Sequence, residues 1–158
     1  ILQLIGKGSV IGIDIDIRKQ NRIEIEKHPM FKRIKMIEGS SIDQKVIKKV
    51  QHLAKNKKQI LVILDSNHSH EHVLQELELY SPLVSKNSYL IVCDTVIEDV
   101  STPQTKSHQK RPWGKGNNPK TAVKFFLKSN KRFIIDKEIE NKLMITVAPS
   151  GFLKCVKK

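Results

Sequence analysis

Apolar positions in this chain fall into short unbroken runs separated by amphipathic stretches. Residues 60–64 (ILVIL) and 89–93 (YLIVC) are the two clearest runs, and each stops at a carboxylate, Asp65 and Asp94. Fully apolar runs of about five residues suit strands covered on both faces, as in parallel sheets. Between them lie a polar turn, Ser66-Asn67-His68, and a segment from Ser69 that places Val73, Leu74, Leu77 and Tyr80 on one helical face. The pattern predicts strand, helix, strand. The same alternation runs upstream. VIGID at residues 10–14 reads as a strand ending in acid, and residues 17–27 as a helix with Ile23 its main core-facing side chain. His28-Pro29 ends that helix, because a residue before proline is pushed out of helical geometry. Residues 33–37 (RIKMI) read as the next strand, followed by Gly39-Ser40-Ser41. Asp43 can cap a helix whose Val46, Ile47, Val50 and Leu53 recur at helical period. Strict alternation of this kind predicts an α/β fold, a doubly wound, Rossmann-like, mostly parallel sheet.

The regularity breaks after Asp94. Residues 95–118 are long, polar and aperiodic, include His108, and end in RPWGKGNNP. A loop of that length in a compact domain usually has a function. Trp113 either closes it over a substrate, with Gly114 and Gly116 as flexible points, or simply anchors it. Pro119 suits a helix start with Asn118 as cap. Residues 133–135 and 143–147 read as two strands joined by a charged turn, a joint that makes the pair antiparallel. At the other end, ILQLIGKG looks like the end of a helix with a glycine stop. The expectation is one domain over residues 1–158, truncated at its N-terminal side.

Composition changes this picture little. A chain of 158 residues can bury a real core. No run approaches the roughly 18 apolar residues of a membrane span, and a signal peptide is not expected. Cys93 and Cys155 match no metal or redox spacing, which fits a reducing, cytoplasmic setting. The formal net charge of +13 invites nucleic acid as a partner. The basic residues are nearly all lysines spread along the chain, with few aromatics to stack on bases, so nucleic acid is not expected. Peripheral contact with an anionic membrane and homo-oligomer formation stay open.

In open parallel sheets, ligands bind beyond the carboxyl ends of the strands. Asp65 and Asp94 should meet there, and two carboxylates on neighbouring strand ends can share a divalent cation, magnesium or calcium by their hard oxygens; helix capping and solvation are the ordinary alternative. His68, in the turn, can face the crevice as a general base. His68 and His72 are one helical turn apart, but no glutamate follows His68, so the zinc-protease pattern is absent. Asp14 can accept the two hydroxyls of a ribose, with Asp16 competing for the role. Gly39 and Ser40 can bring backbone close to a flat ring, or form no more than a turn.

The stretches VIGIDIDIR, IEGSSID, LDSNHSHEHVLQELELYSPLVSKNSYLIVCDT and RPWGKGNNPKTAV together resemble the cephalosporin hydroxylase / rhamnosyl O-methyltransferase family over nearly the whole chain. That family is similar to class I S-adenosylmethionine-dependent methyltransferases, whose last strand is antiparallel. The resemblance implies O-methyl transfer from S-adenosylmethionine to a hydroxyl of a sugar or a small natural-product-like acceptor. It implies Asp14 at the cofactor ribose, Gly39 and Ser40 at the adenine, and Asp65 and Asp94 at a Mg2+ that orients the acceptor hydroxyl. Cys93 stands where some members carry a glutamate. The family mixes hydroxylase-linked and methyl-transfer chemistry, so an accessory, partner-binding module of a hydroxylation or methoxylation system is the alternative.

Overall fold

The computed structural model describes residues 6–100 and 111–157. Most of the expected helix end at residues 1–8, and His108 with the middle of the long loop, lie outside them. The chain divides into two compact units, Ile1–Leu53 and Ala54–Lys158.

In the first unit, strand β1 (Val10–Asp14) and strand β2 (Ile34–Glu38) pair in parallel, with Asp14 opposite Glu38. Helix α1 (Lys19–Lys27) connects them. It buries no residue, and Ile23 is 39% exposed, so the expected core-facing role of Ile23 does not hold. Helix α2 (Gln44–Ala54) carries the apolar burden instead: Val46, Ile47 and Val50 are all buried, as is Ile37 on β2. Asp43 starts α2 as predicted, its carboxylate accepting from the Lys45 and Val46 amides.

The second unit holds a four-stranded sheet in the order β3 (Val62–Leu64), β4 (Tyr89–Val92), β6 (Phe152–Cys155), β5 (Phe133–Ile135). β3 and β4 are parallel, whereas β6 is antiparallel to both of its neighbours. Helix α3 (His70–Tyr80) links β3 to β4 and packs on helix α4 (Pro119–Ser129). Leu77, Leu90 and Leu153 are sealed completely, each contributing about 1.5–3 kcal/mol relative to an exposed side chain. Phe126 and Phe133 meet at 5.9 Å between ring centroids.

Three further expectations are corrected. β3 is three residues long and is not covered on both faces, since Leu61 and Ile63 are each half exposed. Residues 143–147 form no strand. The charged segment before them is helix α5 (Lys137–Leu143), started by Asp136, which accepts from the Glu138 amide. The strand antiparallel to β5 is β6, where Leu153 and Cys155 alternate into the core while Met144 and Ile145 stand in solvent. Finally, the long loop opens with a single 3-10 turn, Thr95–Glu98. The result is a mixed α/β fold with parallel and antiparallel strands in small sheets.

Candidate active site

The ladder between β3 and β4 sets the site. Leu64 sits opposite Val92, and the Cys93 amide donates to the Leu64 carbonyl at 2.9 Å, the last rung. Asp65 and Asp94 therefore leave the sheet side by side. Asp94 does so in the left-handed region, with φ +54°, a backbone state that costs most side chains about 1–2 kcal/mol and that aspartate tolerates better than most. That turn swings its carboxylate to His68, whose Nδ1 lies 3.2 Å from Asp94 Oδ2. His68 is delivered by the turn after β3, where the Asn67 side chain accepts from the Ser69 amide at 2.9 Å.

Asp65, His68 and Asp94 each present a ligand atom within 4.8 Å of the others. Two carboxylate oxygens and an imidazole nitrogen suit a divalent cation, so the residues fit the group that the sequence led us to expect. The structure brings together the three residues that the sequence placed at one crevice. The structure adds that His68 is near enough to be a ligand as well as a base. Cys93 is no part of the cluster: burial pushes its thiol up to about 11, and Asp65 and Asp94 add to the effect.

Trp113 stacks on His68, with ring centroids 5.1 Å apart and planes 25° from parallel. The Arg111 guanidinium lies 5.8 Å from the indole. The segment carrying Trp113 is anchored, not free to swing on its glycines. Gly114 and Asn117 form a backbone bridge, and the Gly116 amide donates to Glu98 Oε2 at 2.8 Å. The fully buried Asn118 side chain donates to the same Glu98 oxygen and to the Gly114 carbonyl. These donors hold the Glu98 carboxyl below its usual range, the Gly116 amide most strongly. Asn117 also accepts from the His70 amide at 2.8 Å, tying the segment to the start of α3. His70 is absorbed in structure, its Nδ1 2.8 Å from Thr121 Oγ1.

Two side chains at this end of the sheet were missed from the sequence. Nothing in the pattern marks Glu98. Glu76 did carry a signal, a charged residue inside the apolar stripe of Val73, Leu77 and Tyr80. It is 2% exposed, accepts from Ser66 Oγ at 2.7 Å through Oε1, and lies 3.6 Å from His72 Nε2.

The other candidates sit in the first unit. The Gly39 amide donates to the Asp14 carbonyl at 2.8 Å, so Asp14, Gly39 and Ser40 are neighbours. Asp14 Oδ1 accepts from the Asp16 amide at 3.0 Å, and with the strand ending at Asp14 the two acids are not equivalent. Glu38, Gly39, Ser40, Asp43 and Val46 line an open concavity of about 570 Å3. Gly39 is required there: φ is +143°, and a Cβ would fall 2.8 Å from Val46 Cγ2.

The sequence profile of the rhamnosyl O-methyltransferase/CmcI family matches residues 1–156. The chain is 38% identical over 120 residues to the rhamnosyl O-methyltransferases of Mycobacterium bovis (strain BCG / Pasteur 1173P2) and Mycobacterium tuberculosis (strain ATCC 25618 / H37Rv). The match takes in 74% of this chain and 45% of each relative, so the chain spans about half the length of these curated relatives. No solved structure matches it. Among the described residues, no helix is long and apolar enough to cross a membrane.

Proposed function

From the chain's membership of the rhamnosyl O-methyltransferase/CmcI family, we propose that it is an S-adenosylmethionine-dependent, metal-assisted O-methyltransferase acting on a hydroxyl of a sugar or small natural-product-like acceptor. The observation that carries this reading is the cluster of Asp65, His68 and Asp94 at the ends of β3 and β4. Asp65 and Asp94 would hold Mg2+. When bound, the cation supplies charge stabilisation to an ionising hydroxyl, and S-adenosylmethionine supplies the methyl group. His68 acts as the base. Its Nδ1 faces Asp94, which fixes the ring and leaves Nε2 to take the acceptor proton. Trp113, stacked on the imidazole, keeps that edge aimed and shields it from water. In the first unit, Asp14 would accept the ribose hydroxyls, and the Gly39–Ser40 backbone would pass the adenine over the concavity beside Val46. A Rossmann-like doubly wound sheet is the architecture this reading implies. Its support is the parallel strand–helix–strand units and the antiparallel β6.

The test is calorimetry of S-adenosylmethionine with and without Mg2+, on the wild type and two variants. Asp65→Ala should abolish turnover and leave cofactor affinity nearly intact. Asp14→Ala should weaken the cofactor at least tenfold, roughly the loss of one charge-assisted hydrogen bond. Equal loss of both properties in Asp65→Ala would count against the metal role. Absence of cofactor binding under every condition would favour an accessory module.

A further inference from the structure

Glu76 is the one charged side chain in the apolar stripe of α3, and the mechanism above does not use it. It is a sealed carboxylate. Oε1 is occupied by Ser66 Oγ at 2.7 Å, His72 Nε2 stands 3.6 Å away, and Oε2 is buried without a hydrogen-bond partner. Burying a carboxylate with an orphaned oxygen is costly, and replacing it by a well-packed apolar side chain would ordinarily be neutral or stabilising. Its presence calls for something that a leucine at that position could not do. What it touches supplies the reason. Ser66 directly follows the cluster residue Asp65 and stands two residues before His68, so the hydrogen bond pins the turn that delivers both. The surrounding ties hold other parts of the same turn. Asn67 closes it on the Ser69 amide, Asn117 holds the His70 amide, and Trp113 covers the His68 ring. The Glu76–Ser66 bond joins the residue after Asp65 to the body of α3.

We propose that Glu76 is a positioning residue for the cation site, acting through Ser66 to hold Asp65 and His68 in register with Asp94. Partners behind metal ligands usually alter affinity by about 10- to 100-fold when removed. The proposal rests on the metal-assisted reading.

Ser66→Ala removes the donor at an exposed position and should leave the fold intact. It should lower Mn2+ affinity, read by calorimetry and by the electron spin resonance of the bound ion, about 10- to 100-fold. S-adenosylmethionine affinity should stay close to wild type, and the thermal midpoint should fall by a few degrees at most, the cost of leaving Glu76 Oε1 without its donor. Ser66→Thr keeps the hydroxyl and should restore Mn2+ affinity. Glu76→Gln keeps the acceptor and should retain most of it, while Glu76→Leu should behave like Ser66→Ala. A fall in thermal midpoint with Mn2+ affinity unchanged in Ser66→Ala would reduce the pair to a structural contact and overturn the proposal. Asp65→Ala separates the two ideas. If it leaves Mn2+ affinity unchanged, the metal reading fails and this proposal with it. If it abolishes Mn2+ binding while Ser66→Ala changes nothing, only the positioning role fails.

Discussion

A left-handed residue at the end of a buried strand is uncommon, and in this chain it is Asp94, whose carboxylate meets His68. Backbone and side chain can be separated there. Asn tolerates the left-handed region and still offers an acceptor to His68, whereas Ala does neither. Asp94→Asn should keep near-wild-type stability and lose cation affinity. Asp94→Ala should lose cation affinity and also about 1–2 kcal/mol of stability in urea titration. Equal stability of the two variants would show that φ +54° carries no strain. Glu98 makes a second prediction, this time about pH. Its carboxyl is held below the ordinary 4.5 by the Gly116 amide and the Asn118 side chain. A lowered folded value means that its stabilising contribution is fully present above about 4.5 and is lost as pH falls through the lowered value. Trp113 is the only tryptophan and lies on the attached segment, so its fluorescence reports the change. Relative to Glu98→Gln, the wild-type signal should show an additional shift below about 4.5, before far-UV circular dichroism changes. Glu98→Gln should abolish that additional step, and identical acid titrations of the two proteins would refute the assignment. These two residues also mark what the sequence could reveal about the site. Asp65, His68 and Asp94 were legible because strand ends bring carboxylates together by topology alone. Glu98 was not, because its partners lie in a later aperiodic segment whose path no periodicity encodes.

Elements followed local chemistry where that chemistry was strong. α4 begins where Asn118 and Pro119 said it would, with a full capping box: the Asn118 side chain accepts from the Lys120 and Thr121 amides, and Thr121 Oγ1 accepts from the Asn118 amide. β6 was misread because residues 143–147 have the apolar character of a strand and β6 has a lysine in its middle. Burial decided it. Gly151 is what lets β6 approach the sheet: its amide donates to the Ala148 carbonyl, and a Cβ would fall 2.2 Å from the Val92 carbonyl oxygen. No glycine rule short of tertiary structure predicts that contact. Gly151→Ala should therefore cost at least about 3 kcal/mol, by forcing β4 and β6 apart. A stability change under 1 kcal/mol in chemical denaturation would contradict the close approach. Asn118 allows a finer dissection of its element. Asp at this position still caps the helix, with a cap worth about 1 kcal/mol. It cannot donate to Glu98, and it places a second carboxylate beside it. Asn118→Asp should keep the helix signal in circular dichroism yet release the Trp113 segment, seen as a fluorescence shift at neutral pH. An unchanged spectrum would mean that the backbone bridge of Gly114 and Asn117 suffices alone.

Across the whole chain, burial is uneven. The first unit seals Ile37, Val46, Ile47 and Val50, and α1 buries nothing. The second seals one face of α3, β4, α4 and β6, including Leu77, Ala122, Leu90 and Leu153 at 0% exposure. Local opening free energy follows buried apolar contact, so amide hydrogen exchange should run fastest in β1 and α1 and slowest in β4 and β6, by at least about tenfold. The proposed ligands add a test that burial alone cannot mimic. Asp14, Gly39 and Ser40 belong to the first unit, whereas Asp65, His68 and Asp94 belong to the second. A ligand that binds only the folded form adds about 2.7 kcal/mol at a hundred times its dissociation constant, equivalent to roughly a hundredfold slower exchange where opening and binding are coupled. S-adenosylmethionine should therefore slow β1, β2 and the start of α2, the weakest part of the molecule and the part with most to gain. Mn2+ alone should slow the turn after β3 and the end of β4, leaving β1 as it was. Protection by cofactor confined to the second unit would remove Asp14, Gly39 and Ser40 from the cofactor site, and protection of β1 by the cation alone would show that the two groups of residues do not divide the chemistry as assigned.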